Sequence, residues 1–171
     1  FLTHEHSDHL QGVGPFSRRH QLPVYSTEGT WRAARHVVGN ISDWQFFTQN
    51  DRVLVEDIEI ETYPTPHDAA EPVAFVIRQG PHKIGHATDL GTVTPIVVEK
   101  LKGADALLVE ANHDENLLDA GPYPWALKRR IKSDRGHLSN EACSRLLATI
   151  NHESLQTVVL MHLSETNNHP E

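Results

Sequence analysis

An α/β fold with helices packed outside layered sheets is predicted for this chain by three observations. Short apolar strands form a meander between residues 45 and 88, strands then alternate with helices to the end, and 38% apolar residues supply one sizeable core. At 171 residues the chain is expected to be a single domain, 1–171. It has no repeat, no low-complexity tract and no apolar run near the roughly 18 residues of a membrane span, so no membrane partner is expected. The one cysteine, Cys143, excludes an internal disulfide and points to a reducing, cytoplasmic setting.

Phe1-Leu2 reads as the end of a buried strand opening into a His-rich loop. A helix over Leu10–His20 and a short strand over Leu22–Ser26 follow. Thr27 is an N-cap for a helix to Val38, with Gly39-Asn40 as its stop. Arg52–Val55 and Ile58–Tyr63 alternate in strand fashion around a turn at Glu56-Asp57. Val73–Arg78 and Lys83–Thr88 form a hairpin about Gln79-Gly80-Pro81. Thr94-Pro95 opens a helix that runs to Lys102. Ala106–Val109 and Thr157–Met161 read as buried strands, Trp125–Lys132 and Ser139–Ile150 as helices. Cys143, inside the last helix, reads as a core residue.

The chain is acidic, with 15 Lys+Arg against 23 Asp+Glu and a net charge of −8, which argues against broad electrostatic attraction to nucleic acid. The balance is uneven. Lys128-Arg129-Arg130-Ile131-Lys132-Ser133-Asp134-Arg135 is a compact basic run, either a solvated helix face or a grip for backbone phosphates.

Thirteen histidines are present, and their placement matters more than their number. Thr3-His4-Glu5-His6-Ser7-Asp8-His9 contains H-x-H-x-D-H. Imidazole and carboxylate together suit zinc, manganese or iron, and four such side chains within six residues converge only from a tight loop. Three further candidates close apolar strands: His67, Asp89 and His162. Any one alone reads more readily as a structural residue. The three together, downstream of H-x-H-x-D-H, read as a set.

The order H-x-H-x-D-H, His67, Asp89, His162 resembles the metal motifs of the metallo-β-lactamase fold across essentially the whole chain. That resemblance implies an αββα sandwich with metals at one edge of its sheets. It also implies that the family's N-terminal strands and C-terminal end are missing, so the chain is expected to be a fragment with an unpaired sheet edge. By position, His4, His6 and His67 are implied for one divalent ion, Asp8, His9 and His162 for a second, and Asp89 as the bridge. The two ions are expected to be Zn2+ or Mn2+.

Finer words narrow the branch. Thr-His-Glu-His-Ser-Asp-His, His67-Asp68-Ala69-Ala70-Glu71-Pro72, Glu110-Ala111-Asn112-His113-Asp114, Tyr123-Pro124-Trp125, Gly136-His137-Leu138-Ser139-Asn140 and His162-Leu163-Ser164 are together similar to the YycJ/WalJ family. Members of that family are linked to DNA exonuclease activity and are related to tRNase Z. Glu110 resembles the Glu of the tRNase Z HEAT motif, and His137 the His of its H-x-T motif. Asn112 departs from the pattern, standing where HEAT has Thr. His113 and Asp114 are additional candidates near the site.

The implied reaction is phosphodiester hydrolysis of DNA by a hydroxide bridging two cations. Asp8 would orient it, and His137, held by Glu110, would protonate the leaving sugar oxygen. Lys128, Arg129 and Arg130 would grip substrate phosphates, and Tyr123 or Trp125 would stack on a base, Trp125 suiting the core equally well. Two other readings stay open at this point. One is a small-molecule hydrolase of the same fold, acting on a thioester, lactone or β-lactam. The other is a metal-binding module without catalysis.

Overall fold

In the computed structural model, which describes residues 1–169, the N-terminal segment is extended but is not a strand. Leu2 N–H donates to the Tyr25 carbonyl at 2.8 Å, and Val73 N–H donates to the Thr3 carbonyl at 3.0 Å, so this segment ties two layers together. It continues into α1 (Ser7–Leu10) and α2 (Val13–His20). The single helix expected over Leu10–His20 is therefore interrupted at Gln11-Gly12, glycine being a poor helix former. Asp8 and His9 ride on a helical turn and not in a loop. β1 (Val24–Ser26) is shorter than the expected Leu22–Ser26, because Pro23 has no N–H to pair. α3 (Glu28–Val38) starts at the expected cap, where the Thr27 hydroxyl accepts from Thr30 N–H, and stops at Gly39 with φ +78°. β2 (Trp44–Phe46) pairs with β1 in parallel.

The remaining strands make one six-stranded sheet in chain order. β3 (Arg52–Val55), β4 (Ile58–Pro64), β5 (Val73–Gln79) and β6 (His82–Ala87) form an antiparallel meander. α4 (Pro95–Leu101) crosses over to β7 (Ala106–Glu110), which runs parallel to β6. α5 (Glu115–Ala120), α6 (Trp125–Ile131) and α7 (Asn140–Ile150) lead to β8 (Thr157–Met161), parallel to β7. α5 was not expected from the sequence; Asp114 caps it, accepting from Leu117 N–H at 2.8 Å.

Strand direction positions the site. β4 and β6 both oppose β5, while β7 and β8 follow β6, so β4, β6, β7 and β8 all finish at the same edge. His67, Asp89, Glu110 and His162 stand at or just beyond those four strand ends. This is the carboxyl edge at which α/β sheets carry their ligands.

Alternation along β5 sorts the core. Ala74 and Val76 face α4 and α7, among Tyr63, Leu101, Leu107, Val109 and Leu146. Val73 and Phe75 face the small sheet, meeting Phe47 and Tyr25, with Phe1 stacked on Tyr25 at 4.4 Å. Cys143 is buried in the first of these cores, and burial pushes its thiol up to about 11. β8 corrects an expectation. It is the outer strand of the sheet, with Val158, Val159 and Leu160 38%, 42% and 49% exposed, and not a buried one. Among the described residues no helix is long and apolar enough to cross a membrane.

Candidate metal centre

The extended segment 1–6, the α1 turn and the strand ends bring His4, His6, Asp8, His9, His67, Asp89 and His162 into one cluster. Four overlapping groups of ligand atoms lie within 4.8 Å of one another: His4/His6/His67, His4/His9/Asp89, Asp8/His9/His162 and Asp89/Glu110/His137/His162. Two atoms each about 2.1 Å from one tetrahedral ion lie about 3.4 Å apart. The cluster has that spacing. His6 Nδ1 is 3.2 Å from His67 Nε2, His162 Nε2 is 3.4 Å from Asp8 Oδ2, and His9 Nε2 is 3.5 Å from the same oxygen.

Asp89 stands between the two halves. Its Oδ1 lies 3.7 Å from His67 Nε2, 4.0 Å from His4 Nε2 and 3.5 Å from His162 Nε2, while Oδ2 faces His9 Nε2 at 3.3 Å. Both His4 Nε2 and Asp89 Oδ2 are buried without a hydrogen-bond partner. Orphaned polar atoms at the centre of a histidine cluster are costly unless something binds them, so the donor set fits a pair of divalent cations.

The ring nitrogens are held in the right sense for ligation. His67 Nδ1 donates to the Gly136 carbonyl at 3.0 Å, leaving its Nε2 lone pair toward the cluster. His162 Nδ1 donates to Glu110 Oε1 at 2.9 Å. Thr3 Oγ1 sits 3.0 Å from His4 Nδ1 and 3.2 Å from His9 Nδ1, within reach of both rings. Burial lowers His4 to about 3 and also lowers His67, so both are neutral at physiological pH. Burial raises the Asp89 carboxyl, but His9, His162 and His4 outweigh it and hold Asp89 well below the usual carboxylate range. The bond to Glu110 raises His162 to about 9, so without a cation this ring is protonated.

Glu110 is wholly buried and accepts four hydrogen bonds. His137 Nδ1 donates to Oε1 at 2.8 Å alongside His162, while Leu90 N–H and Leu138 N–H donate to Oε2 at 2.7 and 3.1 Å. Burial raises this carboxyl, and the bonds from His137 and His162 lower it further than burial lifts it. One carboxylate thus fixes both a ring of the cluster and the ring of His137.

The basic run is mostly engaged within the protein. Arg130 grips Asp68 with two hydrogen bonds, and Arg135 donates to the His67 carbonyl from Nε and Nη2 at 3.1 and 2.9 Å. Lys128 donates to the carbonyls of Asp119 and Gly121, both at 2.7 Å, closing the end of α5. Arg129 is exposed and has no hydrogen bond among the described residues. Segment 130–137 therefore clamps the His67 loop, and it packs tightly there: a Cβ on Gly91 would lie 2.4 Å from the Asp134 carbonyl.

His113 and Asp114 are not brought to the ligand cluster. His113 is buried with Nδ1 3.3 Å from Asn112 Oδ1, and Asp114 caps α5. Trp125 is 70% exposed. Thr3, Asp68, Asn112 and Arg135 were missed as supports from sequence. Asn112 Nδ2 donates to the His162 carbonyl at 2.8 Å, which gives a role to the residue that departs from HEAT.

The fold and the strand-end cluster define a metallo-β-lactamase-type protein. The chain matches the beta-lactamase superfamily domain over residues 1–163 and belongs to that family. It is 42% identical over 169 residues to the exodeoxyribonuclease YycJ of Bacillus anthracis, covering 98% of this chain and 64% of that protein. It is 36% identical over 172 residues to the exodeoxyribonuclease WalJ of Streptococcus pneumoniae, with the same coverage of each. The chain thus spans 64% of the length of these curated relatives. Among solved structures, zinc-bound PqqB from Methylobacterium extorquens shares the fold with a TM-score of 0.77 at 20% identity, over 97% of this chain and 62% of that one. Human short-form tRNase Z shares it with a TM-score of 0.64 at 16% identity, over 96% and 72%.

Proposed function

We propose that this chain carries the catalytic site of a dinuclear metal-dependent phosphodiesterase that acts on DNA, as its YycJ and WalJ relatives are named to do. The observation that carries the reading is Glu110 gripping His137 beside the ligand cluster, an arrangement an ester hydrolase with a good leaving group does not need. His4, His6 and His67 would hold one divalent cation, Asp8, His9 and His162 the other, with Asp89 shared; such a pair supplies an activated water and offsets phosphate charge.

The chain's own groups do the rest. Asp8, with its side chain 60% exposed at the rim, is placed to accept a proton from the attacking water and to aim it. His137 Nδ1 is committed to Glu110, so Nε2 is the atom that delivers a proton to the departing sugar oxygen, a role typically contributing 10²–10⁴-fold. Of the three residues assigned to phosphate, Arg129 is the one with its charge uncommitted. Lys128 and Arg130 act first as braces.

His137→Ala tests the reading. It should slow a DNA phosphodiester by about 10²-fold or more, and bis-p-nitrophenyl phosphate far less, because nitrophenolate leaves without a proton. Equal losses on both would remove the acid role. Hydrolysis of a thioester by the metal-loaded protein, with DNA untouched, would replace the proposal with the small-molecule reading.

A further inference from the structure

Beside His137 the structure has a cavity of about 350 Å³, between α6 and the turn that follows His162. Tyr123, Leu127 and Ile131 give it an apolar wall, and Ser164 and Thr166 face it from the other side. Its volume is at the small end of the range for ligand pockets, room for one nucleoside and not for two.

The chemistry of the site fixes what enters. If His137 protonates the leaving oxygen, the sugar bearing that oxygen lies on His137's side of the phosphorus, and this cavity is the space there. Its walls match a nucleobase, which has flat apolar faces and polar edges. Tyr123 makes neither a hydrogen bond nor an aromatic pair among the described residues, so its ring is uncommitted. The Ser164 hydroxyl oxygen accepts from the N–H groups of Thr166 and Asn167 at 3.3 and 3.1 Å, which leaves its own proton to donate outward. All four bases offer an acceptor at an edge, so this wall takes any of them. The structure also decides between the two aromatic candidates: Trp125 lies outside the cavity and is 70% exposed.

We infer that this cavity is the subsite for the single nucleoside on the leaving side of the scissile phosphate, with Tyr123 as its stacking face. The inference rests on the phosphodiesterase reading above and adds the place and number of the nucleosides bound.

The test uses metal-loaded protein and three substrates: thymidylyl-thymidine and its two analogues with one base replaced by hydrogen. The product that lacks phosphate identifies the leaving side. Removing the base on that side should lower kcat/KM about 5- to 150-fold, the range of a lost base–aromatic stack, with a much smaller change on the other side. Tyr123→Ala should erase that preference, and Tyr123→Phe should keep it. Saturation-transfer NMR should show deoxyadenosine bound to the wild type and to Tyr123→Phe, but not to Tyr123→Ala. Equal rates on all three substrates, or a base preference unmoved in Tyr123→Ala, overturn the subsite while leaving the phosphodiesterase reading standing. No cleavage of any substrate, with deoxyadenosine still bound through Tyr123, overturns the phosphodiesterase reading and leaves a nucleoside site.

Discussion

Replacing Glu110 with glutamine should empty half of the metal centre without unfolding the protein. Four donors converge on this carboxylate, two imidazoles on Oε1 and two backbone amides on Oε2. Glutamine turns one of those oxygens into an NH₂ group, which cannot accept. Turned toward Leu90 and Leu138, it orphans two buried N–H groups that have no alternative, at about 1–3 kcal/mol each and so roughly 2–6 kcal/mol in all. Turned toward the imidazoles, it costs less, because each ring can give up its Nδ1 proton, keep one on Nε2 and accept instead. The second orientation wins. It places a hydrogen on His162 Nε2, the atom that faces Asp8 and Asp89. Affinity for one of two cations should then fall about 10- to 100-fold, the usual effect of losing a ligand's orienting partner. Chelator competition with zinc and with manganese, together with metal stoichiometry by mass spectrometry, reads this out. Thermal unfolding in EDTA at neutral pH should move to a modestly lower Tm, because the metal-free wild type draws stability from the protonated His162 beside Glu110. Two cations held with wild-type affinity would refute the tautomer argument, and a collapse of the apo protein would show that the amide had turned the other way.

Arg135→Ala removes both bonds to the His67 carbonyl and should weaken one cation by about 10-fold or more in the same competition assay; an unchanged affinity would count against the clamp. Gly91→Ala drives a methyl group into the Asp134 backbone and should cost about 1–3 kcal/mol in denaturant unfolding, with a lower kcat as His137 shifts; wild-type values for both would contradict the packing. The metal-free protein should have a domed pH–stability curve. His4 is near 3 when folded against 6.5 unfolded, so the unfolded chain takes the proton first and stability falls as pH drops from about 6.5 toward 3. His162 works oppositely: raised to about 9, it contributes fully below pH 6.5 and its contribution is lost as pH climbs through 9. A Tm in EDTA that rises or falls steadily across that span would disprove the assignment.

The side chains of the cluster were legible in the sequence because each is marked locally. H-x-H-x-D-H is contiguous, and His67, Asp89 and His162 each close a strand whose period shows in the residues. The supports were not legible because they act across the fold. Arg135 reaches His67 over 68 residues and Arg130 reaches Asp68 over 62, so a basic run that looks like a phosphate grip spends most of its charge at home. Asn112 reads as a defect in HEAT until its amide is seen on the His162 carbonyl. β8 misled for a related reason: Val158, Val159 and Leu160 have the composition of a central strand, and only the sheet order shows that it stands at the rim.

Asp89 and His162 share an uncommon backbone state, with φ of +57° and +55°, in the left-handed region that disfavours residues with a Cβ. Each stores on the order of 1–3 kcal/mol of conformational energy. Glycine at either place would relax the backbone and delete a side chain of the cluster in one stroke. The strain is held in place by the contacts these side chains make, His162 with Glu110 and Asp89 with His9, which glycine would also remove. Any effort to harden this scaffold has to hold those two bends fixed.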